Sequence, residues 1–150
     1  MHLFLSHFTN AFDAKGRITL PAPFRATLAK EDIEGVFAHP CLDAPALDCG
    51  GARLIASIQG MLEAMPPYSP EREDLSLALF GTSEFLKLDP EGRLSLSERL
   101  KASIGLTREA VFVGQGEKFQ IWAPESFAAR LASAGARVRQ LRAGLARAKP

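Results

Sequence analysis

The 150-residue sequence predicts an α+β, β-rich fold made from two copies of one small unit. Three observations predict it. First, Phe12-Asp13-Ala14-Lys15-Gly16-Arg17-Ile18-Thr19-Leu20 returns as Leu88-Asp89-Pro90-Glu91-Gly92-Arg93-Leu94-Ser95-Leu96, a spacing of 76 from Asp13 to Asp89. Second, apolar and polar residues alternate around each copy at the period of half-buried strands. Third, 47% hydrophobic and 23% charged residues suit one compact core. A repeat of about 45 residues is close to the size at which an independent core becomes marginal, so the copies are expected to complete each other in a single two-lobed, pseudo-symmetric domain.

The elements follow in order. Asp13-Ala14-Lys15-Gly16 has type I turn chemistry, an Asp that can accept backbone hydrogen bonds and a Gly that takes positive φ, and Asp89-Pro90-Glu91-Gly92 repeats it with Pro in the favoured second place. Each motif reads as the tip of a β-hairpin. After the first tip, Pro21 and Pro23 suit the opening turn of a helix whose pair Phe24 and Leu28 is spaced i, i+4. After the second, Ser97 caps a helix carrying Leu100 and Ile104 at the same offset of 76, with Gly105 as its stop. Strands are expected at Val36-Phe37-Ala38 and Val111-Phe112-Val113, and at Lys118-Phe119-Gln120-Ile121-Trp122 with a proline-interrupted counterpart over 44–49. In the Lys118–Trp122 strand, Phe119 and Ile121 share one face and Trp122 the other, as in a strand buried between layers or between subunits.

Between the copies, a helix over 52–62 precedes the breaker Pro66-Pro67. Ser69-Pro70-Glu71 then opens another helix, which turns Leu75, Ala78 and Leu79 inward. Pro124 opens a long last helix in which Phe127, Leu131, Ala134, Val138, Leu141 and Leu145 form one stripe.

Charge is uneven. The net value is +1, yet 126–150 holds Arg130, Arg137, Arg139, Arg142, Arg147 and Lys149 with no acid, leaving 12 basic against 17 acidic groups elsewhere. This tail has three open readings: a solvated charged face, an oligomer contact through its apolar stripe, or an auxiliary DNA contact. No apolar run approaches the roughly 20 residues that span a bilayer, and no basic-then-apolar leader opens the chain, so a cytoplasmic protein without membrane partner is expected. Cys41 and Cys49 read as reduced thiols of minor structural weight. His39-x-Cys41 with distant Cys49 lacks paired metal-ligand spacing, and no nucleophile elbow or phosphate loop accompanies the motif aspartates; no catalytic residue, metal or cofactor is expected.

Two copies of Asp-x-x-Gly-Arg about 75 residues apart are followed by Leu20-Pro21-Ala22-Pro23-Phe24-Arg25 and by Val113-Gly114-Gln115-Gly116-Glu117-Lys118-Phe119-Gln120-Ile121-Trp122. In that order they closely resemble MraZ proteins, bacterial transcriptional regulators of two SpoVT-AbrB-type units, over residues 4–130. The resemblance implies two swapped-hairpin units about a pseudo-twofold axis, double-split β-barrel-like, with flanking helices: unit 1 over 8–51, a helical connection over 52–81, unit 2 over 82–125 and a basic helical tail over 126–150. It also implies ring-shaped homo-oligomers, a nucleoid location and binding to tandem boxes in double-stranded promoter DNA of the division and cell-wall gene cluster, including the protein's own operon, with no small-molecule substrate. Phe4-Leu5-Ser6 departs from the Phe-Arg-Gly common near the family's N-terminus.

The candidate DNA-binding residues are Lys15, Arg17, Arg25, Arg93 and Lys101; Asp13, Gly16, Asp89 and Gly92 are assigned to turn structure. A guanidinium can bond two acceptors on guanine or clamp a phosphate, and a two-stranded ribbon fits the major groove. The competing reading pairs each Arg with the Asp four residues before it. Residues 7–28 sum to +2 and 83–104 to zero, which favours the first tip as the principal contact. The alternative function is a structural or protein-interaction module assembling through the same hairpins.

Overall fold

The computed structural model describes residues 2–148; Met1 and the end of the expected tail, Lys149 and Pro150, lie outside the described residues. The order is β1 (His7–Ala11), β2 (Arg17–Thr19), α1 (Ala22–Ala29), β3 (Gly35–Pro40), β4 (Ala46–Gly50), α2 (Ala52–Glu63), α3 (Pro70–Ser76) running into one π turn (Leu77–Gly81), β5 (Glu84–Lys87), β6 (Arg93–Ser95), α4 (Glu98–Ser103), β7 (Glu109–Gly114), β8 (Phe119–Trp122) and α5 (Pro124–Ala148). The fold is α+β and β-rich, as the sequence predicts. No helix among the described residues is long and apolar enough to cross a membrane.

Six strands form one open antiparallel sheet in the order β1-β7-β8-β4-β3-β5, and β2 pairs with β6 as a separate ribbon. That order is a palindrome of the repeat. Exchanging the copies maps β1 onto β5, β7 onto β3 and β8 onto β4, so a pseudo-twofold axis runs between β4 and β8 and between β2 and β6. The expected hairpins close at their tips, where Asp13 N donates to Arg17 O at 2.8 Å and Asp89 N to Arg93 O at 3.0 Å. Their arms then part. β1 crosses to β7 and β5 to β3, while β2 meets β6. The physical gain is burial: a three-residue strand is too short to bury its own apolar residue, but the exchanged ribbon seats Ile18 and Leu94 side by side at 0% exposure.

The main core lies between the sheet and the ribbon with α1 and α4, and it repeats the 76-residue offset in four pairs: Ile18 with Leu94, Leu20 with Leu96, Phe24 with Leu100, Leu28 with Ile104. Caps set the helices. Ser69 Oγ accepts from Arg72 N and Ser97 Oγ from Leu100 N, both at 3.2 Å. α2 follows Gly51 and has no side-chain cap of its own; buried Glu31 serves instead, accepting from Arg53 N at 2.8 Å and pairing with Arg53 Nε at 3.4 Å. This cap from 22 residues upstream leaves no local signature, so the sequence reading missed it.

On the sheet's other face, α2 and the π turn cover Phe37 with Leu54, Ile58, Leu62 and Leu79. The start of α5 covers Val111 and Trp122 with Phe127. Between these two covers the face is left as an open groove of about 460 Å³.

Candidate nucleic-acid interface

The two tips share one backbone design. At the first, Gly16 N donates to Asp13 O at 3.0 Å, and Asp13 Oδ1 accepts from Lys15 N at 3.0 Å and Arg17 N at 2.9 Å. At the second, Gly92 N donates to Asp89 O at 2.9 Å, and Asp89 Oδ1 accepts from Glu91 N at 3.0 Å and Arg93 N at 2.9 Å. Gly16 and Gly92 both sit at φ +78°, the left-handed region that costs a side-chain-bearing residue steric strain. The turn roles assigned to the aspartates and glycines therefore follow from hydrogen bonds and φ.

Because β2 and β6 are antiparallel, each tip lies under the helix of the other copy. Lys101 of α4 stands over the first tip, its Nζ 5.1 Å from the centre of the Phe12 ring. Arg25 of α1 reaches the second, donating from Nη1 to Glu91 O at 3.3 Å. Arg25 and Lys101 are themselves 76 residues apart. The structure thus gathers all five candidate basic residues on one ribbon and its two ends, Lys15, Arg17 and Lys101 at one end, Arg25 and Arg93 at the other. On the ribbon, Ile18 and Leu94 face the core, so Arg17, Thr19, Arg93 and Ser95 share the opposite, outward face. Asn10 Nδ2 anchors its far edge by donating to Thr19 O at 2.7 Å, a contact without any signal in the repeat.

Electrostatically the tips differ. Arg17 Nε donates to Asp13 Oδ2 at 2.9 Å, which fixes the guanidinium by one edge, and among the described residues no second carboxylate pairs with it. Arg93 sits among three acids: Nε meets Asp89 Oδ2 at 2.7 Å, Nη2 meets Glu91 Oε2 at 3.0 Å, and Nη1 lies 4.0 Å from Asp13 Oδ2. The hydrogen bond to Asp89 is the first cause pushing the Arg93 pKa upward. Asp13 and Asp89 are held below the usual carboxylate range, chiefly by the backbone N–H groups of Arg17 and Arg93. At the position equivalent to Glu91, the first tip carries Lys15, exposed at the apex and without an ion pair among the described residues. Pairing with Asp and contact with a ligand are thus compatible roles for Arg17: the Asp orients the donors that a second partner would use.

Of the remaining chemical groups, His39, Cys41 and Asp48 gather around Gln120, with His39 Nε2 3.8 Å from Asp48 Oδ2, and Cys49 lies apart from them. Cys49 faces the main core while Cys41 lies on the opposite face, where Gln120 Nε2 approaches its Sγ at 3.5 Å. Burial pushes the Cys41 thiol up to about 12 and Cys49 well above its ordinary value. His39 Nδ1 is 2.9 Å from Pro40 O. Trp122, as expected from its strand, faces away from Phe119 and Ile121, its indole N–H donating to Gln120 Oε1 at 2.9 Å.

Fold and site together define a class: a two-repeat α+β protein with exchanged hairpin arms and one outward ribbon of arginines. The family model described as "MraZ protein, putative antitoxin-like" matches residues 79–143. A protein of Xanthobacter autotrophicus named transcriptional regulator MraZ is 53% identical over 95% of this chain and 90% of its own length. One of the same name from Methylocella silvestris is 53% identical over 93% and 85%, and one from Rhizobium meliloti 37% identical over 89% and 92%. The chain belongs to the MraZ family.

Proposed function

We propose that this chain is a sequence-specific DNA-binding transcriptional regulator and not an enzyme. The observation that carries the reading is the outward face of the β2–β6 ribbon, where Arg17 is held through its Nε by Asp13, its one carboxylate partner among the described residues, and Lys15 stands at the apex beside it. Two strands about 4.8 Å apart, with their outward side chains, make a ribbon narrow enough to enter a major groove about 12 Å wide. The named relatives supply the regulatory context. In this reading the repeat units 8–51 and 82–125 work as one reading head in the cytoplasm, on nucleoid DNA. The targets are tandem boxes in the promoter of the division and cell-wall gene cluster, the chain's own operon included.

One tip with two or three cations is a weak electrostatic footprint, since affinity scales with the phosphates neutralised. Assembly into a ring that offers several equal tips to tandem boxes multiplies it, because each later contact is intramolecular. The test is binding to the chain's own upstream DNA and to scrambled DNA over a salt series. Preference for the upstream DNA, with log affinity falling linearly in log salt, is the expected result. Equal affinity for both DNAs overturns the regulator reading and favours the protein-interaction alternative.

A further inference from the structure

Helix α5 leaves the body after its first turn. Phe127 packs on Trp122 and His7, but from residue 128 to 147 no side chain is buried, and Leu131, Val138, Leu141 and Leu145 are 52–62% exposed along one stripe. Four large aliphatic side chains in a row on a helix are the mark of a covered face. The helix is also cationic. Arg137 stands beside Val138 on one flank of the stripe and Arg142 beside Leu141 on the other, and Glu125 is its one acid.

The open groove on the sheet's outer face is the complementary surface. Its wall is apolar, with Leu54 and Ile58 below and Met61 and Leu42 at the rim, 49% and 58% exposed. The floor is polar but satisfied: Asp48 accepts from Gln120 Nε2 at 2.8 Å and pairs with Lys118 Nζ at 3.0 Å. The rim acids Asp43 and Glu117 are exposed and without an ion pair among the described residues. An apolar wall with these unpaired acids at the rim, over a floor whose polar groups answer one another, matches a basic helix with an apolar stripe in both sign and polarity.

We propose that α5 of one copy lies in this groove of the next copy. Two α5 helices cannot cover each other well, because Arg137 and Arg142 would border both sides of the seam with no acid to answer them. DNA would answer the arginines and leave the leucines in water. A helix-to-groove contact uses two different surfaces, so it is head-to-tail and propagates from copy to copy until it closes into a ring. The proposal rests on the ring reading above and names the contact that builds it.

The experiment is native mass spectrometry and sedimentation on full-length chains, with circular dichroism to verify folding. Asp43→Lys with Glu117→Lys reverses the groove; Arg137→Glu with Arg142→Glu reverses the helix. Each variant alone should fall from the wild-type assembly to monomers or dimers, and an equimolar mixture should regain the wild-type subunit number, since in alternating copies every reversed groove then meets a reversed helix and every native groove a native helix. Val138→Asp with Leu141→Asp should dissociate the assembly in either background. If either charge variant alone keeps the wild-type mass, or the mixture stays dissociated, the helix-to-groove contact is wrong while the ring stands. A monomeric wild-type chain overturns both. Loss of DNA binding in the helix variant at unchanged mass makes α5 a DNA contact and overturns this proposal alone.

Discussion

The tips at Asp13–Arg17 and Asp89–Arg93 have the same backbone and opposite surroundings. Hydrogen bonds donated to the Asp by the third and fifth N–H groups agree within 0.1 Å between them, and the two glycines share φ +78°. Yet Lys15 at one apex becomes Glu91 at the other, and the following Arg has one carboxylate neighbour in the first tip and three in the second. The repeat thus fixes shape through backbone chemistry and leaves side-chain charge free to differ. What reads as symmetry in the fold becomes polarity in the site.

Exchanging the apex charges is the strongest way to break that comparison. Lys15→Glu is expected to lower affinity for upstream DNA by about tenfold or more and to flatten the salt dependence by roughly one phosphate contact. Glu91→Lys should do the reverse, because it removes an acid from Arg93 and adds a cation. Fluorescence anisotropy over a salt series reads both. Unchanged affinity in Lys15→Glu would mean that the first apex does not face DNA.

Shape should respond at both tips. Gly16→Ala and Gly92→Ala each force a side chain into the left-handed region, at a cost of about 1–2 kcal/mol, seen as a fall in the thermal midpoint at each tip. At Gly92 the new methyl also collides with the Arg25 guanidinium, which must move aside. A large cost at one tip and none at the other would break the shared backbone design.

Acid should loosen both tips together. With folded pKa values lowered from 3.8, Asp13 and Asp89 contribute stability that is complete above their ordinary pKa and lost as pH falls through the lower folded values. NMR titration of the two carboxyl groups should show both below 3.8, and Asp13→Asn with Asp89→Asn should remove that part of the acid sensitivity. A carboxyl that titrates at its ordinary value breaks the hydrogen-bond account of that tip.

The smallest effect lies outside the tips and acts as a contrast. Ser6 holds φ +70° with a side chain where the tips use glycine. Ser6→Gly is expected to gain about 0.5 kcal/mol in a denaturant melt, the relief of left-handed strain less the added chain entropy of glycine.

Much of this was legible because it is local. The turn at Asp13-Ala14-Lys15-Gly16, the cap at Ser97, the start at Ser69-Pro70 and the apolar pairs at offset 76 are short-range signals, and each element formed where they predict. All five candidate basic residues came to one ribbon and its ends. What stayed hidden was long-range. Nothing near Phe12 says that β1 will pair with β7, since alternation sets which face a strand buries and not which strand it meets. The reach of Arg25 and Lys101 to the opposite tips follows only from that exchange, although their shared offset was visible. Glu31 capping α2 and Asn10 holding Thr19 are tertiary contacts without local motifs.

The central claim is that two tips of one shape divide a function unequally, and the most direct measurement sets Arg17→Ala against Arg93→Ala on the same upstream DNA, with the oligomer checked intact. The account predicts at least about a tenfold loss for Arg17→Ala, the scale of one bidentate arginine contact, and less than about threefold for Arg93→Ala. Equal losses, or a larger loss at Arg93, would contradict it.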